Sequence, residues 1–144
     1  MNILILGAGQ VGTSVATALA RENNDITVVD TDLPKLRELS EKIDLRTVVG
    51  HASHPSVLAQ AGAEDTELII AVTNSDEVNI IACQVADALF RTPTKIARVR
   101  EAEYLSHPEL IGRGRSAIDV VISPEALVCK HVQRLIEYPG ALQV

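Results

Sequence analysis

The hexapeptide Gly7-Ala8-Gly9-Gln10-Val11-Gly12 follows directly on the apolar run Asn2-Ile3-Leu4-Ile5-Leu6, and Asp30 closes the next apolar run, Ile26-Thr27-Val28-Val29. A glycine loop and an acid in this order suit an adenine dinucleotide. The first glycine permits a tight turn out of a strand, the second admits a pyrophosphate close to the backbone, and the third lets the following helix pack tightly on the sheet. The pyrophosphate would rest on the free N–H groups at that helix start. Asp30 is placed to accept hydrogen bonds from the adenosine ribose hydroxyls. An acid there repels a 2′-phosphate, and Thr31 and Asp32 supply no arginine to hold one. NAD(H), ADP or ATP is therefore expected in preference to NADP(H).

Other residues add to this chemistry. Thr73 and Asn74 follow a fourth apolar run, where a second ribose or the distal phosphates of a ligand would lie. Arg98 and Arg100, two apart in a strand-like segment, share a face and could present two guanidinium forks to terminal phosphate oxygens. The alternative is a pair of surface arginines that neutralise acids. His51 and His54 lack a nearby third ligand, so no metal site is expected. Glu125 falls in the first turn of a terminal helix, where its default role is interaction with the helix dipole. Cys83 and Cys129 lie in apolar helical patterns and read as small buried hydrophobes of a reducing compartment.

Alternating strands and helices must position these groups. Helical spacing covers Val11 to Glu22 and Leu33 to Lys42, the latter with Leu33, Leu36, Leu39 and Ile43 on one face. Arg46 to Val49 is a short third strand, and Pro55 opens a helix that stops at Gly62. Leu68 to Val72 reads as a central strand buried on both faces. Asn74 and Glu77 resemble a capping pair for a helix carrying Val78, Ile81, Ala82, Val85 and Leu89 on one side. Lys95 to Arg100 and Val120 to Ile122 complete six strands, with a looser segment around Gly112 to Arg115 between them. The order predicts right-handed βαβ units and a doubly wound, parallel, Rossmann-type α/β sheet ordered 3-2-1-4-5-6. A last helix, Pro124 to Tyr138, carries a wide apolar face of Ala126, Leu127, Val128, Val132, Leu135 and Ile136. Such a face calls for a second surface, and a crossover onto another copy of the chain is expected.

Composition narrows the function. With 47% apolar residues in 144, the chain can bury one ordinary core. The net charge of −6, without a basic stripe, argues against nucleic acid. No apolar run approaches the length of a membrane span, and a cytoplasmic location is expected.

Taken together, Gly7 to Gly12, Val29-Asp30-Thr31-Asp32, Val48-Val49-Gly50-His51, Ala61-Gly62-Ala63-Glu64-Asp65, Ala71 to Asn79 and Ile96-Ala97-Arg98-Val99-Arg100 resemble the N-terminal domain of regulators of potassium conductance (RCK), also called KTN domains. Asn23 to Asp30 and Arg134 to Val144 are similar to the members that serve bacterial Trk potassium-uptake systems. The resemblance implies a cytoplasmic regulator that forms a ring beneath a membrane potassium-translocating subunit of the TrkH/TrkG type and gates it by bound nucleotide. It would lie on the inner face of the membrane through that partner. The implied nucleotide contacts are Gly7, Ala8, Gly9, Gln10, Val11, Asp30, His51, Ala52, Thr73, Asn74 and Arg98. Many members carry an acid in place of His51, where a backbone contact survives the exchange. The domain would span residues 1–138, with 139–144 beginning a linker to a downstream region. Two other functions share the glycine loop: an NAD-dependent dehydrogenase domain lacking its substrate domain, and a passive assembly module. Hydride transfer would need a substrate pocket and an acid/base that the sequence does not display.

Overall fold

In the first strand, β1 (Asn2–Leu6), alternate side chains leave the sheet on opposite faces. Ile3 and Ile5 enter one core cluster, and Leu4 and Leu6 enter another. Both faces are therefore covered, as the unbroken apolar run requires. The computed structural model describes residues 1–111, 117–122, 132–134 and 136. Its chain runs β1, α1 (Gln10–Ala20), β2 (Asp25–Asp30), α2 (Leu33–Lys42), β3 (Arg46–Val49), α3 (Pro55–Gln60), β4 (Leu68–Ala71), α4 (Asp76–Phe90), β5 (Thr94–Arg98), α5 (Ala102–Leu105), α6 (Pro108–Ile111) and β6 (Val120–Ile122). The six strands form one parallel sheet in the order β3-β2-β1-β4-β5-β6, as expected from the sequence.

One face of the sheet packs against Val15, Ala16 and Leu19 of α1 and Leu36 and Leu39 of α2. The other packs against Leu58 of α3 and Ala82, Cys83 and Ala86 of α4. Register places Leu6 level with Val29 and with Ala71, so β1 and β4 end together and β2 ends one residue further on. Their shared carboxyl edge is the switch point of a doubly wound sheet, where a ligand crevice forms.

Several local expectations are corrected. The cap of α4 is Ser75, whose hydroxyl accepts from the Val78 N–H; Asn74 lies one residue too early. The buried stripe of α4 is Asn79, Ala82, Cys83 and Ala86, while Ile81 and Leu89 are 45% and 61% exposed. Small residues face the sheet because they let the helix approach closely. Leu33 is also exposed, because it occupies the first turn of α2 beside the Asp32 cap. β5 ends at Arg98 instead of Arg100, since the N–H groups of Arg100 and Glu101 donate to the Asp76 carboxylate rather than to a neighbouring strand. Two short helices, α5 and α6, occupy the stretch before Gly112, which the sequence left unassigned.

Of the terminal apolar residues expected to meet a second copy, Val132 is fully buried in the chain's own core and Ile136 packs against it. The sheet face beside α1 supplies the surface those two residues need. Ala126, Leu127, Val128 and Leu135 lie outside the described residues, as do Glu125, Cys129, Gly112 to Arg115 and the 139–144 segment. Among the described residues no helix is long and apolar enough to cross a membrane. Burial pushes the Cys83 thiol up to about 12, against the opposing pull of the nearby Lys95 charge.

Lys95 fastens the far side of the sheet. Its stem is buried, and its ammonium donates to the Thr92 carbonyl at 2.8 Å and lies 3.3 Å from Asp87 and 3.2 Å from Asp119. Both acids are partly exposed, so removing the lysine leaves them hydrated rather than stranded. Lys95→Ala is expected to lower unfolding free energy by about 1–3 kcal/mol in urea melts. Lys42→Ala, which removes an exposed pair with Glu38, should leave the midpoint unchanged.

Candidate functional site: a crevice at the switch point

Gly7 turns the chain out of β1 with φ +114°, and its N–H donates to the Val29 carbonyl at 2.8 Å. A Cβ at Gly7 would stand 2.9 Å from the Val72 carbonyl oxygen, and one at Gly12 would stand 1.8 Å from the Gly7 carbonyl oxygen. The fold itself demands these two glycines. Gly9 is different: its φ of −75° suits any residue, and nothing lies within 4 Å of where its Cβ would be. The space beside Gly9 opens into a crevice of about 370 Å³, within the usual range for a small-molecule site.

Gly9 is also the N-cap of α1. No side chain caps that helix, and its first turn holds no acid. The N–H groups of Gln10, Val11 and Gly12 have no acceptor within the helix, so the partial positive end of α1 faces the crevice. Across from it stands Asp30. One carboxylate oxygen accepts from the Ala8 N–H at 2.7 Å and the other from the Asp32 N–H at 2.8 Å. A carboxylate offers about four lone-pair sites, so these two bonds fix its orientation and leave capacity for two further donors. That is what a ribose with vicinal hydroxyls needs.

Of the residues selected from the sequence, Gly7, Gly9, Asp30, His51, Ala52, Thr73 and Asn74 line the crevice. Ala8 and Gln10 line an adjoining pocket between α1 and α2, and Val11 and Gly12 lie behind them on α1. Arg98 and Arg100 approach the crevice wall from behind. Arg98 is 3% exposed and its guanidinium donates to the Thr73 carbonyl, while that of Arg100 donates to the Asn74 carbonyl at 3.0 Å. They do not share a strand, and Arg100 lines a wider neighbouring cleft with Tyr104 and His107. In that cleft a hydrogen bond to Glu77 holds the Tyr104 hydroxyl above its ordinary range.

The rings of His51 and His54 sit 4.8 Å apart between centroids. Among the described residues no group of three or more metal-ligating side chains comes together. Sequence reasoning missed Lys35, which lines both the crevice and the adjoining pocket. The signal was the Asp32 cap with Pro34 behind it, which starts α2 early enough to bring Lys35 into its first turn. Gly50, part of the Val48 to His51 motif but not selected as a site residue, also lines the crevice, and a Cβ there would stand 2.7 Å from the Val57 side chain.

Comparison with known proteins gives the family of the chain. A family model described as the TrkA-N domain matches residues 3–124. The chain belongs to the TrkA-N domain family. The chain is 63% identical over 144 residues to the Trk system potassium uptake protein TrkA of Halomonas elongata, with all of this chain and 32% of that protein covered. The protein of the same name from Vibrio alginolyticus is 57% identical over 145 residues, again with 100% and 32% covered. The chain thus spans about a third of the length of these curated relatives. Among solved structures, the GsuK channel bound to NAD is 26% identical, with a TM-score of 0.68 over 84% of this chain and 21% of that one.

The two kinds of glycine in this TrkA-N domain separate by experiment. Gly12→Ala forces backbone apart and should cost more than about 4 kcal/mol, unfolding the domain or lowering its melting temperature sharply. Gly9→Val should melt within a few degrees of the parent by circular dichroism, because its conformation and surroundings admit a side chain.

Proposed function

We propose that this TrkA-N domain binds an adenine nucleotide, NAD(H) foremost with ADP and ATP as further ligands, and that the whole protein uses the bound state to regulate potassium uptake. The observation that carries the reading is Gly9. The chain's own packing gives no reason for a glycine there, whereas a pyrophosphate laid on the α1 N-terminus would need that space. The residues present fit the group. Asp30 would hold the adenosine ribose; Gly7, Ala8, Gly9, Gln10, Val11 and Gly12 would supply the turn and the N–H groups for the pyrophosphate. His51 and Ala52 would border the adenine through their backbone, and Thr73 and Asn74 would meet the half of the ligand beyond the pyrophosphate. Arg98 and Arg100 would act on the ligand through the carbonyls they hold.

Relatives of the chain are named for potassium uptake, and the NAD-bound neighbour is a channel. These support a regulatory subunit rather than an enzyme. Its partner would be a membrane potassium-translocating subunit of the TrkH/TrkG type, reached from the cytoplasmic side by a homo-oligomer. A nucleotide can shift such an assembly only by binding its two states unequally.

Replacing Asp30 by Ala tests the central contact. Charge-assisted bonds to ribose hydroxyls contribute about 1.5–3 kcal/mol together, so NADH affinity by calorimetry should fall roughly tenfold to a hundredfold. Parental affinity for both NADH and ATP in a folded Asp30→Ala domain would reject the placement.

A further inference from the structure

Asn79, on the first turns of α4, is completely buried, and its side-chain amide makes four hydrogen bonds. Oδ1 accepts from the Thr73 N–H at 2.9 Å and from the Thr73 hydroxyl at 2.7 Å. Nδ2 donates to the Thr73 carbonyl at 3.2 Å and to the Arg98 carbonyl at 2.9 Å. An amide has two N–H donors and two acceptor lone pairs, so this side chain is saturated. It holds every polar group of Thr73 and, through Arg98, the end of β5. Asp76 ties the same two regions a turn earlier, through the N–H groups of Arg100 at 3.0 Å and Glu101 at 2.7 Å.

The short β4–α4 loop turns one side to the crevice and the other to the interior. On the crevice side, Thr73, Asn74 and Ser75 form the wall. On the interior side, polar backbone must be satisfied without bulk water. The Thr73 hydroxyl is already committed inward, to Asn79 and to the Ser75 N–H at 3.2 Å.

We propose that Asn79 is a positioning residue for the ligand crevice: it sets the shape of the wall that meets the ligand beyond its pyrophosphate, and it joins that wall to the 98–101 segment. The inference rests on the nucleotide reading of the crevice. Strand order makes it specific. Asp30 at the end of β2, the glycine loop after β1 and Thr73 after β4 lie in sequence along the carboxyl edge. A mononucleotide held at Asp30 and the α1 N-terminus would lie mainly on the β2 and β1 side, whereas a dinucleotide would extend across all three.

Two variants and one measurement on the unaltered chain test this. Asn79→Ala removes all four bonds. Asn79→Asp keeps the shape and the Oδ1 acceptor but turns an oxygen toward the Thr73 and Arg98 carbonyls. In each variant that melts cooperatively, calorimetry should show NADH binding at least tenfold weaker than in the parent, with AMP binding within twofold. A loss of general structure would weaken both ligands alike. In the parent, NADH but not AMP should slow hydrogen exchange at Thr73 and across residues 98–101. Equal losses for NADH and AMP, unchanged NADH affinity, or exchange in 98–101 indifferent to NADH would overturn the role of Asn79. A parent chain that binds neither ligand would instead remove the nucleotide reading itself.

Discussion

The carbonyl oxygen of Gly7 stands where a side chain on residue 12 would have to be, 1.8 Å from an ideal Cβ. This approach lets α1 begin almost as soon as β1 ends, with its uncapped N-terminus at the carboxyl edge of the sheet. Asp30 depends on the same geometry, because the Ala8 N–H that orients its carboxylate belongs to the glycine loop. On the other flank, the Gly7 turn passes so close to Val72 that a Cβ there would crowd the Val72 carbonyl at 2.9 Å. The backbone contacts of one turn therefore fix three walls of the crevice relative to one another. The anionic ligand with vicinal hydroxyls that we propose would find donors and acceptors already oriented, which would reduce the ordering cost of binding.

The sheet supports this arrangement by being sandwiched. Isoleucines at alternate positions of β1 pack under α1 and α2, while the intervening leucines pack against α3 and α4. On the second face the helix comes close because Ala82, Cys83 and Ala86 are small. That proximity brings the Asn79 amide under the loop after β4. A polar side chain in this position is tolerated because every one of its hydrogen-bonding groups is used.

What the sequence made legible follows from which interactions are local. The glycine spacing, the apolar strands and Pro55 at the start of α3 are local signals, and with them came strand order and the Asp30 side of the crevice. The core face of α4 was partly legible: Ala82 is buried and Val78 and Val85 pack against the core, but hydrophobicity alone also selected the exposed Ile81 and Leu89, whereas closeness of approach favoured Cys83 and Ala86. The arginines were misplaced for a related reason. Their spacing on an assumed strand said nothing about Asp76, which takes the N–H groups of Arg100 and Glu101 and ends β5 at Arg98. Lys35 was overlooked because its approach to the crevice depends on the cap of α2 rather than on distance in sequence from Asp30.

In the proposed reading, the crevice would bind chiefly through backbone donors and through Asp30, the acid that the Ala8 and Asp32 N–H groups orient. The most direct test of that arrangement is an NMR titration of the isotopically labelled chain with NADH. Amide shifts concentrated on Gly7 to Gly12, Asp30 to Asp32, His51 to Ala52 and Thr73 to Ser75 are the predicted result. Absence of shifts at the glycine loop, or shifts confined to the cleft of Tyr104 and His107, would contradict it.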